Sequence, residues 1–167
     1  MESGYAPADW VALCAAEVAA AAALTGLVFV SVSINVERIM RYPTLPDRAL
    51  EAILLFSVVV LTSTLVLVPG QGIALLGIEL LLVSVLAWAA VTNIHVRSLR
   101  DPDARRYMPQ RIAYAALTEL AMLAFALAGL TLLLHAGGGL YWLVPATVLA
   151  LSGAVLSAWV LLIEIIR

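Results

Sequence analysis

Glu17, Glu79 and Glu119 each interrupt a run of apolar residues long enough to cross a bilayer. An ionisable side chain at that depth costs roughly 2.5–3.5 kcal/mol on insertion scales. It is kept there either for chemistry or as a polar tie between helices. The chemistry open to such an acid is binding a cation or relaying a proton. As a tie, it would be protonated or hydrogen-bonded to Ser and Thr of a neighbouring helix. Spacing places other polar groups in line with these acids. Glu17 and Asn35 are eighteen residues apart, five full turns at about 3.6 residues per turn, and Ser31 lies about 40° from that line. Ser57 and Thr64 are seven apart and share a face, and so do Glu79 and Asn93, fourteen apart. Glu17, Ser31, Asn35, Ser57, Thr64, Glu79, Asn93 and Glu119 are therefore the candidate lining of a polar path, facing protein or water rather than lipid.

The elements that position them are five apolar segments, at about 10–33, 49–68, 72–91, 113–134 and 140–166. Each meets the length of about 20 residues that a membrane helix needs. Composition agrees: 64% of the 167 residues are hydrophobic and 12% charged. A soluble domain sits nearer ~45–50% and ~25%, so soluble, disordered and basic nucleic-acid-binding classes are excluded. The expected fold is an all-α bundle of five transmembrane helices, forming one domain over residues 1–167 without a soluble part. The first segment is expected to be a retained helix rather than a signal peptide, because Glu2 and Asp9 precede it and no basic residue does.

All nine cationic residues are Arg, and all fall on one side of this topology. Arg38, Arg41 and Arg48 follow the first segment, five more lie between 97 and 111, and Arg167 ends the chain. The connections "PGQG" and "HAGGG" on the other side carry no charge. The positive-inside rule makes the arginine side cytoplasmic, with the N-terminus outside and the C-terminus inside, in a cell (cytoplasmic) membrane. Arg97, Arg100, Arg105 and Arg106 could hold anionic lipid head groups. Glu51 counts among the acids of this charged side. The short uncharged connections predict tight hairpins of the second with the third span and of the fourth with the fifth. The first span is free to pack at either edge or on a neighbouring subunit.

Small residues allow close approach of helices in lipid. Ala146, Ala150, Ala154 and Ala158 form a ladder on the last span, and Ala15, Ala19, Ala22 and Gly26 form one on the first. Both are expected to be contact faces.

His95 and His135 fall on opposite sides and cannot share a metal within one chain. Cys14 is the only cysteine, so no internal disulfide or cysteine metal site forms. No HExxH, CxxC, Walker, GxSxG or GxGxxG pattern occurs. No catalytic residue, cofactor or metal is therefore expected, and the chain does not read as an enzyme.

The stretch "AAALTGLVFVSVSINVERIMRYPTLPDRALE", with "LVLVPGQ" and "LGIELL" after it, resembles a family of small bacterial multi-pass membrane proteins. Some members carry labels as modulators of a membrane protease. The resemblance covers the first three spans and implies no catalytic residues. Two functions are open on the sequence. One is a homo-oligomeric channel or small transport protein for cations or protons, its path running between subunits. The other is an accessory protein that binds a larger membrane protein, or binds lipid, through its helix faces.

Overall fold

The computed structural model describes residues 2–41, 45–99 and 108–166. Helices α1 (Val11–Ile34), α3 (Leu45–Val66), α4 (Ile73–Leu99), α5 (Met108–Leu134) and α6 (Leu143–Ile166) are joined by a short α2 (Val36–Ile39) and by 3-10 turns at Glu2–Tyr5, Pro7–Trp10 and Gly139–Trp142. Five of these helices are long and apolar enough to span a membrane, and no strand occurs among the described residues. Helices are the natural outcome, because hydrocarbon offers backbone groups no partner outside their own segment.

Helix ends follow local chemistry. α1 stops at Asn35, where φ −110° and ψ 17° leave the helical region, and the Asn35 Nδ2 donates back to the Ser31 carbonyl at 2.8 Å. α3 starts earlier than expected, at Leu45, since Pro46 sits in a first turn whose N–H groups need no intrahelical acceptor. α4 and α5 likewise run past the expected spans toward the arginine side. α5 ends in a run of positive-φ residues, with His135 at 49°, Gly137 at 91° and Gly138 at 114°. Glycine carries this reversal because it has no Cβ to clash.

That turn is covered by the N-terminal segment. Ser3 Oγ lies 2.6 Å from the Tyr141 hydroxyl, the Gly138 N–H donates to the Tyr5 hydroxyl at 3.1 Å, and Trp10 packs edge-on against Tyr141 with ring centroids 5.0 Å apart. The aromatic residues of this end thus form one cap.

α3, α4, α5 and α6 close a four-helix ring, and α1 packs on the outside of α3. The α3–α4 and α5–α6 hairpins that the short connections predict are both in contact, and the most extensive pair is α4 with α5, on either side of the arginine-rich connection. Close approach explains it. A Cβ on Gly129 would lie 2.6 Å from the Leu81 N and 2.9 Å from the Gly77 O, so the two backbones touch. Ala146, Ala150 and Ala154 are fully buried, with Ala158 packed beside them. The ladder faces α3 and α5 within one chain.

The small-residue face of α1 behaves otherwise. Ala15, Ala19, Ala22 and Gly26 are exposed, with no atom within 4 Å of a Cβ placed on Gly26. The packed face carries Cys14, Glu17, Ala21 and Val28, on the opposite side of the helix. Burying a carboxylate away from hydrocarbon outweighs close packing of alanines, and so it sets the rotation of α1.

Candidate functional site

Three side chains from three helices meet toward the arginine side of the ring. Glu51 lies in the second turn of α3, His95 near the end of α4, and Glu119 on α5. The His95 Nε2 is 2.7 Å from Glu51 Oε1, and its Nδ1 is 3.0 Å from Glu119 Oε1. The imidazole therefore bridges two carboxylates, one at each ring nitrogen. The side chains of Glu51 and His95 are only 4% and 10% exposed, while that of Glu119 is 30% exposed.

A second tier of groups fixes this geometry. Trp88 Nε1 donates to Glu119, and Thr92 Oγ1 donates to its two oxygens at 2.9 and 3.2 Å. Trp88, Thr92 and His95 are spaced by four and three residues, so one face of α4 presents all of them. Thr118 Oγ1 lies 3.3 Å from His95 Nε2. Tyr114 stands edge-on to the imidazole at 6.3 Å. Its hydroxyl meets Ser157 Oγ at 2.8 Å and donates toward the Gly153 carbonyl at 3.2 Å. The Arg48 guanidinium sits over the Tyr114 ring, 5.3 Å from its centroid, within the range of a cation–π contact.

The chemistry follows from proton count. Both nitrogens donate only if the ring is an imidazolium; a neutral ring donates at one nitrogen and accepts from a protonated carboxyl at the other. Either way the three groups hold protons in common and can exchange them over hydrogen-bond distances. Among the described residues, no group of three or more His, Cys, Asp or Glu has an arrangement that could hold a metal ion.

Glu51 corrects the sequence reading, which places it with the acids of the charged side. It is 3% exposed inside the ring. The informative signal is Pro46, which starts α3 early and so carries Glu51 a full turn into the helix. The sequence likewise places His95 on one side of the membrane, whereas the structure buries it.

A second polar site lies toward the other end. Glu17 is buried, and Ser63 Oγ donates to its Oε2 at 2.7 Å. Thr147 stands beside the same carboxyl, its buried hydroxyl outside hydrogen-bonding geometry. Ser63 lies twelve residues beyond Glu51 on α3, about 18 Å along the axis. Leu55, Phe56 and Val59 of α3, with Met122 and Phe125 of α5, fill the interval and are at most 1% exposed. A layer this apolar holds no water, so the two sites do not join.

The other predicted positions stand apart from both sites. Ser31 lines an apolar cleft of about 280 Å³ between α1, α3 and α6. Asn35 and Ser57 bond carbonyls of their own helices. Thr64 and Asn93 are exposed. Glu79 accepts a hydrogen bond from Gln71 of the preceding connection. Arg97 is exposed near the end of α4; Arg100, Arg105 and Arg106 lie outside the described residues.

Ser63→Ala should destabilise the protein by about 1–3 kcal/mol, because it strands a buried carboxyl without its donor. Thr64→Ala, one residue on but exposed, should change little. Thermal unfolding of the two variants in mild detergent makes the comparison, and equal midpoints would remove the Glu17–Ser63 bond from the account.

Comparison with protein-family models, with curated proteins and with solved structures gave no match.

Proposed function

We propose that this chain is a proton-handling membrane protein of the channel or small-transporter kind, with Glu51, His95 and Glu119 as its proton relay. The observation that carries this reading is a single imidazole whose two nitrogens each face a carboxylate from a different span. A structural tie needs only one such partner. The bridging arrangement links a carboxylate buried in the ring to one that is partly open at its surface.

The step balances without a further reactant. A protonated Glu119 gives its proton to Nδ1 as the Nε2–H proton passes to the Glu51 carboxylate. Glu119 is left ionised, Glu51 protonated, and the ring neutral in its other tautomer. Return of the proton reverses the step; a full cycle instead requires Glu51 to release its proton, Glu119 to take up another and the ring to rotate. With the arginine side cytoplasmic, as the charge distribution suggests, the relay serves the cytoplasmic third of the bundle. The dry layer around Phe56 and Phe125 separates it from Glu17, so passage across the whole membrane requires either a shift of helices at that layer or a path between copies of the chain.

Purified protein in liposomes carrying an internal pH dye should dissipate an imposed proton gradient faster than empty liposomes. Glu51→Gln and Glu119→Gln should slow that dissipation on the order of a hundredfold, the usual effect of losing a positioned proton-transfer group, while Glu79→Gln leaves it unchanged. Gradients that decay at the same rate with and without the protein, or with and without the two carboxylates, would refute the relay.

A further inference from the structure

We propose that the outward face of α4 is the contact between two copies of this chain, which meet in parallel at Ala89 and Asn93. This does not rest on the proton reading.

Glu79, Leu82, Leu86, Ala89, Asn93 and Val96 are spaced alternately by three and four residues. That is the seam of a left-handed helix pair, and this stripe points away from the ring, with all but the half-buried Glu79 exposed. Lipid would suit its apolar members. It does not suit Asn93, whose carboxamide makes no hydrogen bond among the described residues and stands one turn inside Arg97, about 6 Å toward the membrane centre. Hydrocarbon offers that group neither donor nor acceptor, and the short side chain does not reach the aqueous boundary as an arginine does.

A second copy satisfies it. Copies inserted in the same direction bring equal positions of α4 to equal depth, so Asn93 meets Asn93. A carboxamide is both donor and acceptor, and a two-fold axis pairs each amide N–H with the other's oxygen. A single Asn at such a seam position sets register and partner number. Ala89, the smallest residue of the stripe, lies one turn away and allows the close approach that membrane helices use. Helices crossing there at about 20° separate by about 5 Å over the 15 Å to Glu79, which leaves each Glu79 with its own Gln71. The contact would also cover the shallow groove of about 460 Å³ formed by Val85, Trp88, Ala89, Thr92, Asn93 and Val96. Trp88 and Thr92 are the donors to Glu119, so its partly open side would be sealed from lipid.

Disulfide crosslinking of the full chain in membranes tests this. With Cys14→Ala removing the native thiol, Ala89→Cys should form covalent dimers, whereas Leu27→Cys, on the exposed side of α1, should not. Adding Asn93→Leu should lower the Ala89→Cys dimer about tenfold, the size of one to two interhelical hydrogen bonds, and Asn93→Gln should retain it. Asn93 is exposed, so unchanged unfolding midpoints will show that these variants fold. Equal crosslinking at positions 89 and 27, indifference to Asn93→Leu, or an adduct only with a different protein would each overturn the proposal.

Discussion

His95→Leu should lower the stability of this protein by about 3–5 kcal/mol, the range for removing one partner of a buried ion pair. Among the described residues the imidazole alone faces both Glu51 and Glu119, and no Arg side chain bonds either carboxylate. Without the ring, Glu51 loses its partner at 4% side-chain exposure. Glu119 suffers less, because Trp88 and Thr92 still donate to it. Glu119→Gln should therefore be the milder change. A triple variant in which Glu51, His95 and Glu119 become Met, Leu and Met should recover most of the loss, since apolar residues of similar volume often replace a buried ionic group without penalty. The same triple should carry no protons, which separates folding from function. Denaturant titration in mild detergent measures all three, and a His95→Leu chain as stable as its parent would mean the imidazole does not hold the carboxylates together.

Gly129→Ala is the second large effect. The added methyl meets backbone atoms of Leu81 and Gly77 at 2.6 and 2.9 Å, and backbone cannot rotate aside. Overpacking of this kind costs about 1–3 kcal/mol, and the upper end applies here. Gly153→Ala should cost less, because the atom it meets at 2.8 Å is the Thr118 methyl. Gly26→Ala meets nothing within 4 Å and should gain about 0.5–1 kcal/mol from helix propensity. The order of the three unfolding midpoints is the check; a Gly129→Ala midpoint equal to that of Gly26→Ala would contradict the backbone contact of α4 with α5. That contact also sets the distance from His95 to Glu119, so Gly129→Ala should weaken proton flux as well.

Particular residues show how far the sequence carries. Glu17 and Glu119 are legible as intramembrane acids, because each sits deep in an apolar run. Glu51 is not, because Asp47 and Arg48 precede it and make it look like part of a charged connection. Only the early start of α3 at Leu45 withdraws it into the ring. Ser63 gives no signal of its own as the donor to Glu17, since Ser and Thr recur throughout the spans. The alanine ladder of α6 is legible as a packing face, while an equally regular ladder on α1 faces outward.

The sequence by itself determines the number of spans, their approximate limits and the gathering of arginine on one side. These depend on sums of transfer free energy and charge along the chain, which need no knowledge of neighbours. The tertiary structure decides how each helix is rotated, which helices touch, and which polar groups meet. Within hydrocarbon an apolar side chain gains little by turning inward, since lipid tails are as apolar as leucine. Rotation is instead set by pairwise requirements: Glu17 must find Ser63, His95 must find two carboxylates, and Gly129 must find the backbone of α4. Such requirements belong to residues 24 to 52 positions apart in the chain, and so they appear only once the helices are packed.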